Sequence, residues 1–117
     1  MGRTMEWKDV AWPEENGFRI ARFRTGASVR AQLPNLERIA AVDCAIVSRG
    51  EQAGKSWLVI DMTTAADFLE PDQDPVEFGA CITVMQFETS ADLERYLENS
   101  QWAPFVKEYK KRGRRGV

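Results

Sequence analysis

The chain has 117 residues, 44% hydrophobic and 29% charged, with a formal net charge of −2 and no histidine. That length supports one core and leaves no room for a second, and four Trp and six Phe supply bulky apolar surface that disordered chains lack. Without histidine, Ser–His–Asp and Cys–His catalysis and the usual zinc and non-haem iron sites are excluded.

The first twenty residues include Lys8, Asp9, Glu14 and Glu15 and contain no apolar stretch of the signal-peptide kind. Apolar runs such as Trp57-Leu58-Val59-Ile60 fall far short of the ~20 residues that a spanning helix requires. The expected location is cytoplasmic. Residues 1–17 read as a loosely ordered strand ending in the turn Pro13-Glu14-Glu15-Asn16-Gly17. Phe18–Arg24 and Ser28–Leu33 then flank Thr25-Gly26-Ala27. Val29, Ala31 and Leu33 alternate with polar residues, so the pair predicts a β-hairpin.

Pro34-Asn35 opens a predicted helical turn, with Leu36, Ile39 and Ala40 at the i, i+3, i+4 spacing of one helix face. Val42–Ser48 is β-like, Arg49–Lys55 is a Gly-bounded loop and Ser56–Met62 a second strand. Thr63–Leu69 reads as a helical turn capped by Thr63 or Thr64, Glu70–Pro75 as an exposed loop, and Glu77–Phe87 as the longest strand. Thr89 or Ser90 caps a helix that carries Asp92 and Glu94 in its first turn, where negative charge suits the dipole, and Leu93, Tyr96 and Leu97 share one face. A break near Asn99-Ser100 precedes another helix, with Pro104 in its first turn and the core stripe Trp102, Phe105, Val106 and Tyr109.

Trp57–Met62 and Ala80–Phe87 are apolar on both alternating faces, which a half-exposed antiparallel strand is not. The C-terminal helices can cover one side only. The other side closes into a barrel, lies under the N-terminal hairpin, or meets a second copy in a homodimer.

Few constellations carry chemistry. In Gly50-Glu51-Gln52-Ala53-Gly54-Lys55-Ser56 only three residues separate the glycines, and a strand follows, whereas a phosphate-binding P-loop needs four residues and a helix. Asp67, Glu70, Asp72, Asp74 and Glu77 lack the central glycine of a calcium loop. Cys44 and Cys81 sit in apolar runs and read as small buried hydrophobes. Asp43 and Asp61 interrupt or end apolar strands and are the acid–base candidates of an enzymatic reading. No catalytic, cofactor or metal motif is legible.

Charge is the strongest signal. Lys107–Val117 holds six Lys or Arg and one Glu, a local charge of +5, and the other 106 residues balance to −7. An acidic body with a basic end points to an acidic partner. The candidate contact residues are Lys110, Lys111, Arg112, Arg114 and Arg115, joined by Arg22 and Arg24 of a second basic area, Arg19, Arg22, Arg24 and Arg30 of the predicted hairpin, which would form a groove if it folded beside the first. Residues 1–109 are expected to form a single α+β domain and residues 110–117 a flexible basic tail.

The stretch Ile82-Thr83-Val84-Met85-Gln86-Phe87-Glu88-Thr89-Ser90-Ala91-Asp92-Leu93-Glu94-Arg95-Tyr96-Leu97 resembles the strand-to-helix passage of small dimeric α+β-barrel proteins with a ferredoxin-like protomer, a group that includes cofactor-free monooxygenases. It is also similar to the last strand and terminal helix of pleckstrin-homology-like barrels. The first resemblance implies a dimeric barrel enzyme acting on an apolar small molecule.

The expectation is an α+β fold: a mainly antiparallel sheet of about five strands with a C-terminal helical pair packed on one face. The expected function is a non-enzymatic interaction module, of an adaptor or inhibitor type that suits a bacterial or phage protein. It would bind a protein or protein–nucleic-acid partner, with no cofactor and no membrane contact. The alternative is the dimeric barrel enzyme, with a pocket lined by Trp57, Met85 and Phe87 and with Asp43 or Asp61 as its acid–base group.

Overall fold

The structure is a computed structural model that describes the backbone of residues 14–15 and 18–116 and the side chains of residues 18–112. It is an α+β fold built on one antiparallel sheet. The strands are β1 (Glu14–Glu15), β2 (Phe18–Phe23), β3 (Glu37–Val42), β4 (Ala45–Gln52), β5 (Lys55–Asp61) and β6 (Ile82–Phe87), in the order β1-β2-β6-β5-β4-β3. Five strands make the body of the sheet, and two-residue β1 extends one edge. Among the described residues three α-helices complete the fold: α1 (Ala27–Gln32), α2 (Ser90–Glu98) and α3 (Ala103–Gly116). Among the described residues no helix is long and apolar enough to cross a membrane. The reading of residues 1–17 lies outside the described residues except at β1.

β3 to β6 form a meander of neighbouring antiparallel strands, with only a 3-10 helix (Thr63–Phe68) and a loop between β5 and β6. A ferredoxin-like protomer interleaves helices between its strands, so that expected alternative is not the fold observed. The β4–β5 connection is tighter than the loop expected over 49–55. Gln52 pairs with Lys55, leaving Ala53 (φ 54°) and Gly54 (φ 75°) as a two-residue turn. Positive φ at both central positions matches the right-handed twist of the flanking strands, and glycine meets that demand without steric cost.

Three local expectations are corrected. Ser28–Leu33 lies in helix α1 and its cap rather than in a strand: Val29 and Leu33 are buried one helical turn apart, and Ala31, which alternation placed beside them, is exposed. The predicted helical turn over 34–40 is instead strand β3, where an irregularity between Arg38 and Ala40 buries the adjacent residues Ile39 and Ala40 together. A bulge thus imitates helical spacing. The longest strand is eight-residue β4; β6 begins only at Ile82, because Phe78 N–H and Ala80 N–H bond back to the carbonyls of Asp74 and Pro75 in a run of turns.

α2 and α3 close one face. Leu93, Leu97, Trp102 and Val106 pack over Leu58, Ile60, Met85 and Phe87, with Ile39, Ala40 and Val47 extending the layer to β3 and β4. Tyr96 sits against Phe18 and Phe87 with ring centroids 5.2 and 5.6 Å away, and burial pushes its phenol pKa up. On the opposite face, Val29 and Leu33 of α1 pack with Ala21, Phe23, Trp57, Val59, Ile82 and Val84. Part of the second face is therefore covered by a helix, and neither the expected hairpin nor a barrel closure forms there among the described residues.

Candidate interaction surface

The connection between α2 and α3 fixes how the basic residues are displayed. Thr89 caps α2 by accepting a hydrogen bond from the Asp92 N–H (3.1 Å), as its sequence predicts. At the other end Asn99 Nδ2 donates to the Arg95 carbonyl (2.8 Å) and Ser100 Oγ donates to that of Leu97 (2.7 Å). Ser100 Oγ also accepts from the Trp102 N–H (3.2 Å), which turns the chain into α3. Trp102 and Val106 then anchor α3 on the α2-side core and the edge strand β3.

α3 runs through Gly116, so Lys110, Lys111, Arg112, Arg114 and Arg115 belong to a helix whose first turns are packed on the domain. Lys107, Lys110 and Lys111 fall at i, i+3, i+4, so one side of the helix carries all three, and all three are exposed. Arg112 pairs with Glu108 at 3.5 Å. Among the described residues, no carboxylate pairs with Lys107, Lys110 or Lys111. Lys107 and Lys110 line a recess of about 380 Å³ together with Glu94 and Glu98 of α2. Glu94 is already paired with Arg49, and Glu98 lines the recess without an ion pair among the described residues.

Arg22 and Arg24 are not brought to this surface. They lie on and just after β2, at the opposite side of the sheet from β3. Four strand steps at about 4.8 Å each separate the two by about 19 Å. Arg22 is exposed, while Arg24 Nη2 is paired with Asp74 Oδ1 at 3.1 Å and its Nε is buried without a hydrogen bond. Arg24 therefore holds the acidic 70–75 loop against the domain. Lys107, by contrast, joins the row as its first member, and helical spacing from Lys110 and Lys111 is the signal that identifies it. Phe105, expected in the core stripe, is 41% exposed. It lines a recess of about 310 Å³ with Val42, Asp43, Cys44, Met62 and Trp102.

The pocket of the enzymatic reading is not formed. Leu58 pairs with Met85 and Trp57 with Gln86, so Trp57 faces α1 while Met85 and Phe87 face α2 and α3. Asp43 is exposed in the β3–β4 turn at φ 48°. Asp61 is half-buried, and its Oδ1 accepts from Thr63 N–H (2.9 Å) and Thr63 Oγ1 (2.6 Å). Asp61 therefore fastens the start of the 3-10 helix, where Thr63 or Thr64 was expected to supply the cap. Thr64 instead donates to the Cys44 carbonyl (3.2 Å). Cys81 is buried, and burial raises its thiol pKa against the opposing pull of Arg22 and a Thr83 hydrogen bond. Cys44 is half-buried.

Among the described residues no group of three or more Cys, Asp or Glu side chains converges as a metal-ligand set. No protein-family model, curated protein or solved structure matches this chain.

Proposed function

We propose that this protein is a non-enzymatic interaction module that docks on an acidic protein surface through helix α3. The row Lys107–Lys110–Lys111 carries the reading. Three exposed ammonium groups on one side of a helix lack carboxylate partners within the described domain, while Trp102 and Val106, on an adjoining side, anchor the start of that helix to the domain. Unpaired like charges so close together repel one another, and a partner carboxylate array relieves that repulsion. The body of the chain, at −7 outside the last eleven residues, repels a bare nucleic-acid duplex. A protein, or a protein with nucleic acid bound to it, is therefore the preferred partner class.

Each solvent-exposed ion pair contributes about 0.5–1 kcal/mol, so loss of three weakens binding by about ten- to a hundredfold. The test is capture from native lysate on immobilised protein, with and without nuclease, comparing the wild type with the K107Q/K110Q/K111Q variant. A partner held by the wild type through nuclease treatment and lost by the variant supports the proposal. Capture that disappears with nuclease assigns the surface to nucleic acid, and equal capture by both proteins removes α3 from the contact.

A further inference from the structure

The α1 face of the sheet is only partly covered. α1 has six residues, about 9 Å of helix, and reaches β2, β6 and β5 through Val29 and Leu33. Beyond it, the chain crosses β4 at Gly50, where an added Cβ would lie 3.2 Å from Leu36 Cδ2 and 3.4 Å from the Asn35 carbonyl oxygen. Between helix and crossing lies an open groove of about 360 Å³. Its lining includes the apolar side chains Leu33, Ile46, Val59 and Ile82, and three charged residues: Arg30 of α1, Arg38 of β3 and Asp61 at the end of β5.

The charges are unequal in their commitments. Arg30 and Arg38 are exposed, and neither has a carboxylate partner among the described residues. Asp61 turns one oxygen to Thr63. The groove thus combines an apolar surface, two unpaired guanidinium groups and a net charge of +1. Guanidinium forks hold carboxylates through paired charge-assisted hydrogen bonds. The volume falls at the lower end of the ~300–1,000 Å³ that small-molecule sites occupy.

We propose that this groove binds a small amphipathic monocarboxylate, a short fatty or aromatic acid. Its apolar body lies against Pro34, Leu36 and Ile46, the apolar lining residues that are not fully buried, and its carboxylate is held by Arg30 and Arg38. Asp61 in the wall disfavours a dianion such as a phosphate monoester, because the net +1 is balanced by a single negative charge. The site is on the opposite face of the sheet from α3 and is independent of the partner surface there.

Sodium octanoate is a suitable probe, with n-octanol and octyl phosphate as matched controls, monitored by amide chemical shifts and calorimetry. The expected result is saturable octanoate binding that shifts amides of α1, β4 and β5, with n-octanol and octyl phosphate each at least tenfold weaker. Arg30→Gln combined with Arg38→Gln weakens octanoate at least tenfold without lowering the melting temperature, since both side chains are exposed, while K107Q/K110Q/K111Q leaves it unchanged. Octanol binding as tightly as octanoate, octanoate binding unaltered in the double variant, or no saturable shift in this region would each overturn the proposal.

Discussion

On one face of the sheet, helices of nine and fourteen residues contribute Leu93, Leu97, Trp102 and Val106 to a layer that also takes in three aromatic rings. On the other, a six-residue helix contributes Val29 and Leu33, and a groove is left beside it. The strands are the same and alternate their side chains between the two sides, so the difference comes from how much helix the chain supplies to each. Burial scales with covered apolar area. The first face should therefore hold the fold together, and the second is free to leave part of its strands accessible.

Truncating one buried leucine on each face tests this difference with the largest expected effect. Leu93 is fully buried and Leu33 is 4% exposed, so both lose the same atoms. Leu93→Ala should cost about 4 kcal/mol, the closed layer being unable to collapse around the void, and Leu33→Ala about 2 kcal/mol beside a groove that can relax or admit water. Urea unfolding of the two variants checks the order. Equal losses would mean that the two faces are packed alike.

A smaller effect separates the helix starts. α2 has a side-chain cap from Thr89, whereas Gly26 at the start of α1 has none. Thr89→Ala should therefore destabilise the protein by about 1 kcal/mol, measured in the same way.

The face with more helix over it was also the more legible one. Thr89, the i, i+3, i+4 run Leu93-Tyr96-Leu97 and Pro104 are unambiguous because capping chemistry and apolar periodicity agree. The α1 side misled for a physical reason: Val29 and Leu33 satisfy both a period-two and a one-turn pattern, and only Ala31, exposed in the structure, separates the two. Ile39 and Ala40 misled in the opposite direction, because a strand irregularity buries neighbours that a regular strand would place on opposite sides. Strand register was beyond reach. Without knowing that Leu58 pairs with Met85, nothing in the sequence reveals that Trp57 and Met85 occupy different layers. The basic row of α3 was legible in charge but not in geometry. Lys107 belongs to it because the helix continues past Tyr109, where a tail was expected.

The smallest effect concerns pH. Burial raises the pKa of both the Cys81 thiol and the Tyr96 phenol above their ordinary values of 9.0 and 10.0. Below those values both groups are protonated whether the chain is folded or not, and they leave stability unchanged. Above them the unfolded chain ionises first, so stability falls as pH rises through about 9 and beyond. Urea midpoints between pH 7 and 10.5 should decline, and Cys81→Ala should reduce the part of the decline that begins first.

The division of labour between the faces is tested most directly by partner capture measured against salt. Wild type, K107Q/K110Q/K111Q and R30Q/R38Q are immobilised side by side and exposed to nuclease-treated native lysate at 50 and 300 mM salt, roughly spanning Debye lengths from 14 to 6 Å. The expected result is a partner retained at low salt by the wild type and the R30Q/R38Q variant, released at high salt, and absent from the α3 variant at both. Retention by all three proteins, independent of salt, would contradict the assignment of α3 as the contact surface.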